Sequence, residues 1–247
     1  PRRRALVKGP GGMVAIVVLV LLAVDSAHGL AGGPLAGLLG GLRIPARGGR
    51  SKETELLSAE LFEACAAYWT DREPLDEQRL STVVDSLASK RVDFDPVMLE
   101  GGLWLSLYTR GPKPKWQRNA ELLGFALKNK AGQSYDAEKK TVQNYGELLG
   151  GFIAFSADGT FQLPAEMGRC PVDIGVSVES GGISISGLAI NLGIKGPGLL
   201  RVEYVDDRVR IFTSPKTSPD EWEAAGLTVV QIREAALDAW PAKNARP

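Results

Sequence analysis

After Pro96 the chain becomes a succession of short β-like runs separated by Gly, Pro, Asn and Asp. The runs are Leu103–Thr109, Thr141–Tyr145, Gly151–Ser156, Thr160–Leu163, Asp173–Glu179, Gly182–Ile190, Leu199–Val205, Val209–Thr213 and Leu227–Ile232. Eight or nine short strands with no helix between them can bury their apolar faces only as an antiparallel barrel or sandwich. Two-residue alternation, as in Ile183-Ser184-Ile185-Ser186, gives each strand one buried and one solvated face. Asp158-Gly159 and Gly181-Gly182 are expected to be hairpin turns, and glycines such as Gly146, Gly175 and Gly187 suit strongly curved strands at barrel corners.

Two helices precede the strands. Leu56, Leu57, Leu61, Phe62, Cys65 and Tyr68 follow helical spacing between Thr54 and Trp69, with Glu55, Glu60 and Glu63 mostly on the other side. After Pro74, Asp76 can cap a second helix whose buried stripe is Leu80, Val83, Val84 and Leu87, ending near Lys90 and Arg91. The expected organisation is therefore a leader over 1–50, a helical preface over 51–98, a barrel over 99–233 and a C-terminal tail over 234–247.

Charge separates the leader from the rest. Lys plus Arg and Asp plus Glu are equal at 29 each, so the chain has no basic excess and nucleic acid is not an expected partner. Residues 1–50, however, hold seven of the basic residues and only Asp25 among the acidic ones, which leaves the remainder acidic. Arg2, Arg3, Arg4 and Lys8 precede an apolar run from Met13 to Val24, and small residues follow. This is the order of a signal sequence, and the run is short of the roughly 20 residues that cross a bilayer. Cleavage between Gly29 and Ser51 is one reading; a retained anchor over Met13–Leu42 is the other. The sequence opens at Pro1 without Met, so a preceding stretch is expected.

Cys65 and Cys170 fit no zinc spacing and read as buried thiols, with a single disulfide between them as the alternative in an oxidising compartment. His28 is the only histidine and lies in the leader. Triads based on His and His-ligated metals are therefore not expected in the folded part, nor are a GxSxG elbow, a P-loop or any other catalytic set.

Three blocks carry a resemblance to a known family. Leu99-Glu100-Gly101-Gly102-Leu103-Trp104-Leu105-Ser106-Leu107-Tyr108-Thr109 follows the two helices, Gly198 to Ile211 contains Tyr204-Val205-Asp206-Asp207-Arg208-Val209-Arg210-Ile211, and Leu227 to Ile232 closes the span. In order and spacing these resemble the plastid-lipid-associated (PAP/fibrillin) proteins of plants and algae. Phe212-Thr213-Ser214-Pro215 and the insert Pro219-Asp220-Glu221-Trp222-Glu223 depart from the family pattern, and the middle strands match by pattern only. The resemblance implies a lipocalin-like barrel in a non-enzymatic, lipid- or isoprenoid-binding structural protein of thylakoid membranes, thylakoid lumen or plastoglobules, with no cofactor beyond a bound lipid, isoprenoid or pigment. The alternative is an accessory structural subunit of a photosynthetic membrane supercomplex. Membrane lipids, and in that case photosynthetic membrane proteins, are the implied partners.

Within that reading, Trp104, Tyr108, Trp116, Tyr145 and Phe152 are candidate ligand or lipid contacts, because inward aromatics of a small barrel either fill it or line a pocket. Trp116 follows a basic, Pro-rich stretch in which Arg110, Lys113 and Lys115 are candidate contacts for headgroups or an acidic partner. Asp206, Asp207 and Arg210 are expected to form a structural hairpin turn with a cross-strand ion pair, and no metal site is expected. In the first strand, Leu103, Leu105 and Leu107 share one parity and Trp104, Ser106 and Tyr108 the other, so one set should lie under the helices and the other inside the barrel.

Overall fold

A computed structural model describes residues 50–71, 73–112, 130–166, 168–193, 195–215 and 226–241. The two expected helices are α1 (Lys52–Asp71) and α2 (Glu77–Ser89). The hydroxyl of Ser51 accepts from the Thr54 amide at the start of α1 (3.2 Å), and the Asp76 carboxylate accepts from the Arg79 amide at the start of α2 (3.0 Å). Each bond satisfies an amide that has no partner within its own helix. Leu61, Phe62, Cys65 and Ala66 of α1 and Leu80, Val83, Val84 and Leu87 of α2 are buried, the faces the spacing requires.

The strands are β1 (Trp104–Arg110), β2 (Lys130–Asp136), β3 (Thr141–Leu148), β4 (Ile153–Gln162), β5 (Val172–Ile185), β6 (Leu188–Asn191), β7 (Gly196–Val205), β8 (Val209–Thr213) and β9 (Thr228–Arg233). They run in the order β4-β3-β2-β1-β9-β8-β7-β5, and β5 pairs with β4 to close an eight-stranded antiparallel barrel. Its first half, from Val172 to Val178, pairs with β7, whereas Gly182 to Ile185 turn to β6, a short hairpin partner outside the ring.

Three expectations about the strands are corrected. The runs read from the sequence leave out β2, which holds Gly132-Gln133-Ser134-Tyr135; its Gly132 lies so close to β1 that a Cβ would overlap the Trp104 carbonyl oxygen. Asp158-Gly159 and Gly181-Gly182 are not turns: they lie inside the long strands β4 and β5, where Gly181 and Gly182 pair with Ala157 and Ser156 and a register shift falls between Asp158 and Gly159. A Cβ at Gly159 would overlap the Ser177 carbonyl oxygen, so the glycine serves close strand approach where the wall bends.

The helices lie on the outer face of β1, β7, β8 and β9, where Leu105, Leu107, Tyr108, Tyr204, Val209, Ile211, Val230 and Ile232 form one core with them. After β9 the chain forms α3 (Glu234–Asp238), and Trp240 meets Phe62 of α1 edge-on at 5.5 Å. The barrel's interior holds a second core that includes Phe94, Leu99, Trp104, Tyr135, Val142, Phe161, Val172, Ile174 and Val202. Cys65 belongs to the first core and Cys170 to the second, and both are free thiols. No helix among the described residues is long and apolar enough to cross a membrane.

Candidate functional site

One end of the barrel is sealed. Trp104 is fully buried there, its indole N–H donating to the Leu99 carbonyl (2.8 Å), and the Arg233 guanidinium lies over its ring at 4.3 Å. Arg233 donates to the carbonyls of Met98 (3.0 Å), Glu100 and Asp207 (2.8 Å), which ties the last strand to the segment leading into the first. Burial, and the charge of Arg210, push its pKa down, while Asp207 and Asp206 oppose the shift.

Asp206 organises the same end. Its Oδ1 accepts from the Arg208 and Val209 amides (2.8 and 2.7 Å), fixing the β7–β8 turn, and its Oδ2 accepts from the hydroxyls of Ser58 (2.5 Å) and Tyr204 (2.8 Å). Burial first, and then the Asp206 charge, raise the Tyr204 pKa far above its usual range, so the phenol stays a donor. The nearest cation is Arg50 at 3.9 Å, which also donates to the Val205 carbonyl. The expected cross-strand pair with Arg210 is absent, because the Asp206 carboxylate faces α1 while Arg210 faces the interior. The turn itself forms as expected, with Asp207 exposed on it.

Above the sealed end lies a polar layer. Arg210 Nε donates to Gln231 Oε1 (2.8 Å), and its Nη2 donates both to that oxygen and to Gln133 Oε1 (2.7 Å). Tyr135 also donates to Gln133 Oε1 (3.2 Å), while the two amide nitrogens donate to neighbouring strands, to Asn144 (2.5 Å) and Ser106 (3.0 Å). The rings of Tyr135, Trp104 and Phe212 surround the guanidinium at 4.8, 5.3 and 5.6 Å. Burial lowers the Arg210 pKa and raises that of Tyr135, yet an arginine this basic stays charged.

Beyond this layer the interior changes. The register places Ala131, Gly146 and Ala157 inward on β2, β3 and β4, at and just above the level of Gln133 and Asn144. Small residues leave room in an eight-stranded barrel, whose interior is just wide enough for side chains to fill. Phe212, Leu227 and Val229 form one apolar cluster on β8, β9 and the segment before it, and Phe155 and Ile183 form another on β4 and β5; the two do not join. Inward residues here, among them Ala131, Asn144, Val176 and Leu200, keep partial exposure, whereas Val142, Phe161, Val172 and Ile174 nearer the sealed end are buried. Among the described residues the interior is therefore a cup: filled toward the sealed end, floored by Arg210 and its glutamines, and less completely buried toward the opposite end. Phe152, Leu188 and Ile190 stand exposed at that opposite end, the rim, where the Ser186 amide bonds the Phe152 carbonyl (2.8 Å).

Of the five expected contacts, the four that are described are not brought together. Trp104 lies in the sealed end and Phe152 on the rim. Tyr108 is corrected to the outer face: the register shift between Ser106 and Tyr108 leaves Leu107 unpaired and flips the parity, so Leu107 and Tyr108 both join Leu105 under the helices. Tyr145 is likewise corrected to the outside of β3, sharing its face with Gly132 and Ser156. Arg110 does not offer a free charge, because its fork takes both oxygens of Asp85 (2.6 and 2.9 Å) and the Ser81 hydroxyl of α2 (2.6 Å). Trp116, Lys113 and Lys115 lie outside the described residues. Sequence reasoning missed Gln133, Tyr135 and Gln231; the signal available was Arg210 and Gln231 at the inward parity of the otherwise apolar strands β8 and β9.

Neither a protein-family model nor a curated protein matches the chain. Among the described residues no group of three or more His, Cys, Asp or Glu is placed to hold a metal ion.

Proposed function

We propose that this chain is a non-enzymatic structural protein of plastid membranes whose barrel holds a lipid or isoprenoid in the open half. The observation that carries the reading is the cup, with small side chains on one wall and separate apolar clusters on the others. An apolar lining above a few fixed polar groups suits a small-ligand site. The residues behind the family resemblance also support it: Trp104, Tyr204, Asp206 and Arg210 come from distant blocks and meet at the sealed end and the layer above it. The polar layer offers amides, hydroxyls and a guanidinium without a general base, which suits binding and not turnover.

Exposed apolar side chains at the rim support a membrane-facing role for that end. Phe152 and Leu188 are 52 and 69 % exposed, and apolar side chains at the mouth of the cup would enter the headgroup boundary of a bilayer. Co-sedimentation of the full chain with galactolipid vesicles tests this: binding is expected, and Phe152→Asp/Leu188→Asp should reduce it severalfold. Binding unaffected by that pair removes the rim from the mechanism. The filled lower half of the barrel supports a second reading, an accessory subunit that docks to a membrane protein and carries no ligand. A chain that binds no apolar molecule but pelts with solubilised photosynthetic complexes would favour it.

A further inference from the structure

We infer that Arg210 is the clasp of the barrel: from inside, it holds β2 to the rest of the ring at the wall's weakest seam, between β1 and β2. Among the described residues these two strands pair only at Trp104–Gln133 and Leu105–Gly132. Ser106, Tyr108, Thr109 and Arg110 of β1 go on pairing with β9, and Lys130 and Ala131 of β2 go on pairing with β3. Each strand thus keeps its other neighbour where the two lose one another. The next shortest junction, between β7 and β8, pairs at Arg201, Val202, Tyr204 and Val205, and β8 pairs with β9 along its whole length. Ladder hydrogen bonds are what join neighbouring strands, so the junction with the fewest of them is the one that opens at least cost.

Side chains bridge this seam where the backbone does so least. Arg210 stands on β8, three strands from β2 along the order β2-β1-β9-β8. Its Nη2 nevertheless donates to Gln133 Oε1 of β2 (2.7 Å), and its guanidinium lies over the Tyr135 ring of the same strand at 4.8 Å. On the other side of the seam it bonds Gln231 of β9, whose amide nitrogen donates to Ser106 Oγ of β1 (3.0 Å). Gln133 passes the connection on to Asn144 of β3 (2.5 Å). A belt of side chains therefore runs from β1 through β9, β8 and β2 to β3, and its two ends lie on opposite sides of the seam. Outside the wall, Lys130 of β2 also reaches Glu234 beyond β9 (3.3 Å), but that pair is about one-third exposed and adds little. An apolar side chain at position 210 would fill the same space at a lower desolvation cost. It could not bond oxygens on two strands at once, which the planar fork of a guanidinium does.

Hydrogen–deuterium exchange of the full chain, read peptide by peptide under native conditions, tests the clasp. Arg210→Met keeps the bulk and removes the fork, whereas Gln133→Ala keeps Arg210 and removes its partner across the seam. In both variants exchange is expected to rise about tenfold or more in peptides covering β1 and β2, as the loss of one charge-assisted hydrogen bond supplies. Peptides from β4, β5 and α1 should keep their protection. If Arg210→Met does not fold, Gln133→Ala decides, because position 133 is only partly buried and tolerates a smaller side chain. A rise spread evenly over all strands would make Arg210 a general core residue, and no rise in β1 and β2 would mean that their backbone pairs hold unaided. Either result overturns the assignment.

Discussion

Asp206 and Arg210 stand four residues apart, and their environments decide what a substitution at each should cost. Asp206 accepts two backbone and two hydroxyl hydrogen bonds while nearly sealed from solvent, so Asp206→Ala should destabilise by about 3 kcal/mol in urea unfolding, through orphaned donors and a freed turn. An exposed turn pair would have cost about 1 kcal/mol or less, and Arg201 with Asp173, about half exposed, remains in that class. The side-chain hydrogen bond from Arg201 holds the Asp173 carboxyl below its usual range, as that from Arg110 does for Asp85. Because the folded pKa is the lower one, each pair's contribution is present above the unfolded carboxylate value and lost as pH falls through the folded one. Asp85→Asn should therefore flatten the acid limb of a stability–pH curve slightly and leave its neutral plateau nearly level. The thiols give a sharper contrast: burial pushes Cys65 and Cys170 up to about 12, so Ellman's reagent should label neither in the folded chain and both on unfolding.

At the scale of the element, α1 and α2 act as the outer half of a core that β1, β8 and β9 cannot complete alone. Leu61→Ala, deep in that interface, should cost about 3 kcal/mol by denaturant unfolding, whereas Leu56→Ala on the exposed side should cost little. Both helices, the cap at Asp76 and most strands were legible because their apolar periods of 3.6 and 2 follow from burying one face. Strands β2, β4 and β5 were legible only in part. Inward Gln133 carries no hydrophobic signal, and glycine at close strand contacts looks the same in sequence as glycine in a turn. The same limit misplaced Tyr108, since one unpaired residue at Leu107 reverses every parity after it. Arg210 was visible as a polar residue near a turn; that it faces inward, with glutamines from β2 and β9 as its partners, depends on pairings between segments far apart in sequence.

For the whole molecule, the two ends of the barrel differ in packing. Arg50, where the expected leader would end, is mostly buried at the sealed end against Val205, Met98 and Asp206. If the leader is removed, N-terminal sequencing of the mature chain should therefore place the start at or before Arg50, and Arg50→Ala should lower Tm. The opposite end holds the cup and its apolar rim. The account turns on whether that cup is a binding site, and native mass spectrometry of the full chain incubated with the isoprenoid alcohol farnesol tests it most directly. One farnesol per chain is expected, lost in Ala131→Trp, which fills the cup from β2 without touching the sealed end. A folded chain that retains no farnesol, or one that retains it equally well with Trp at position 131, contradicts the account.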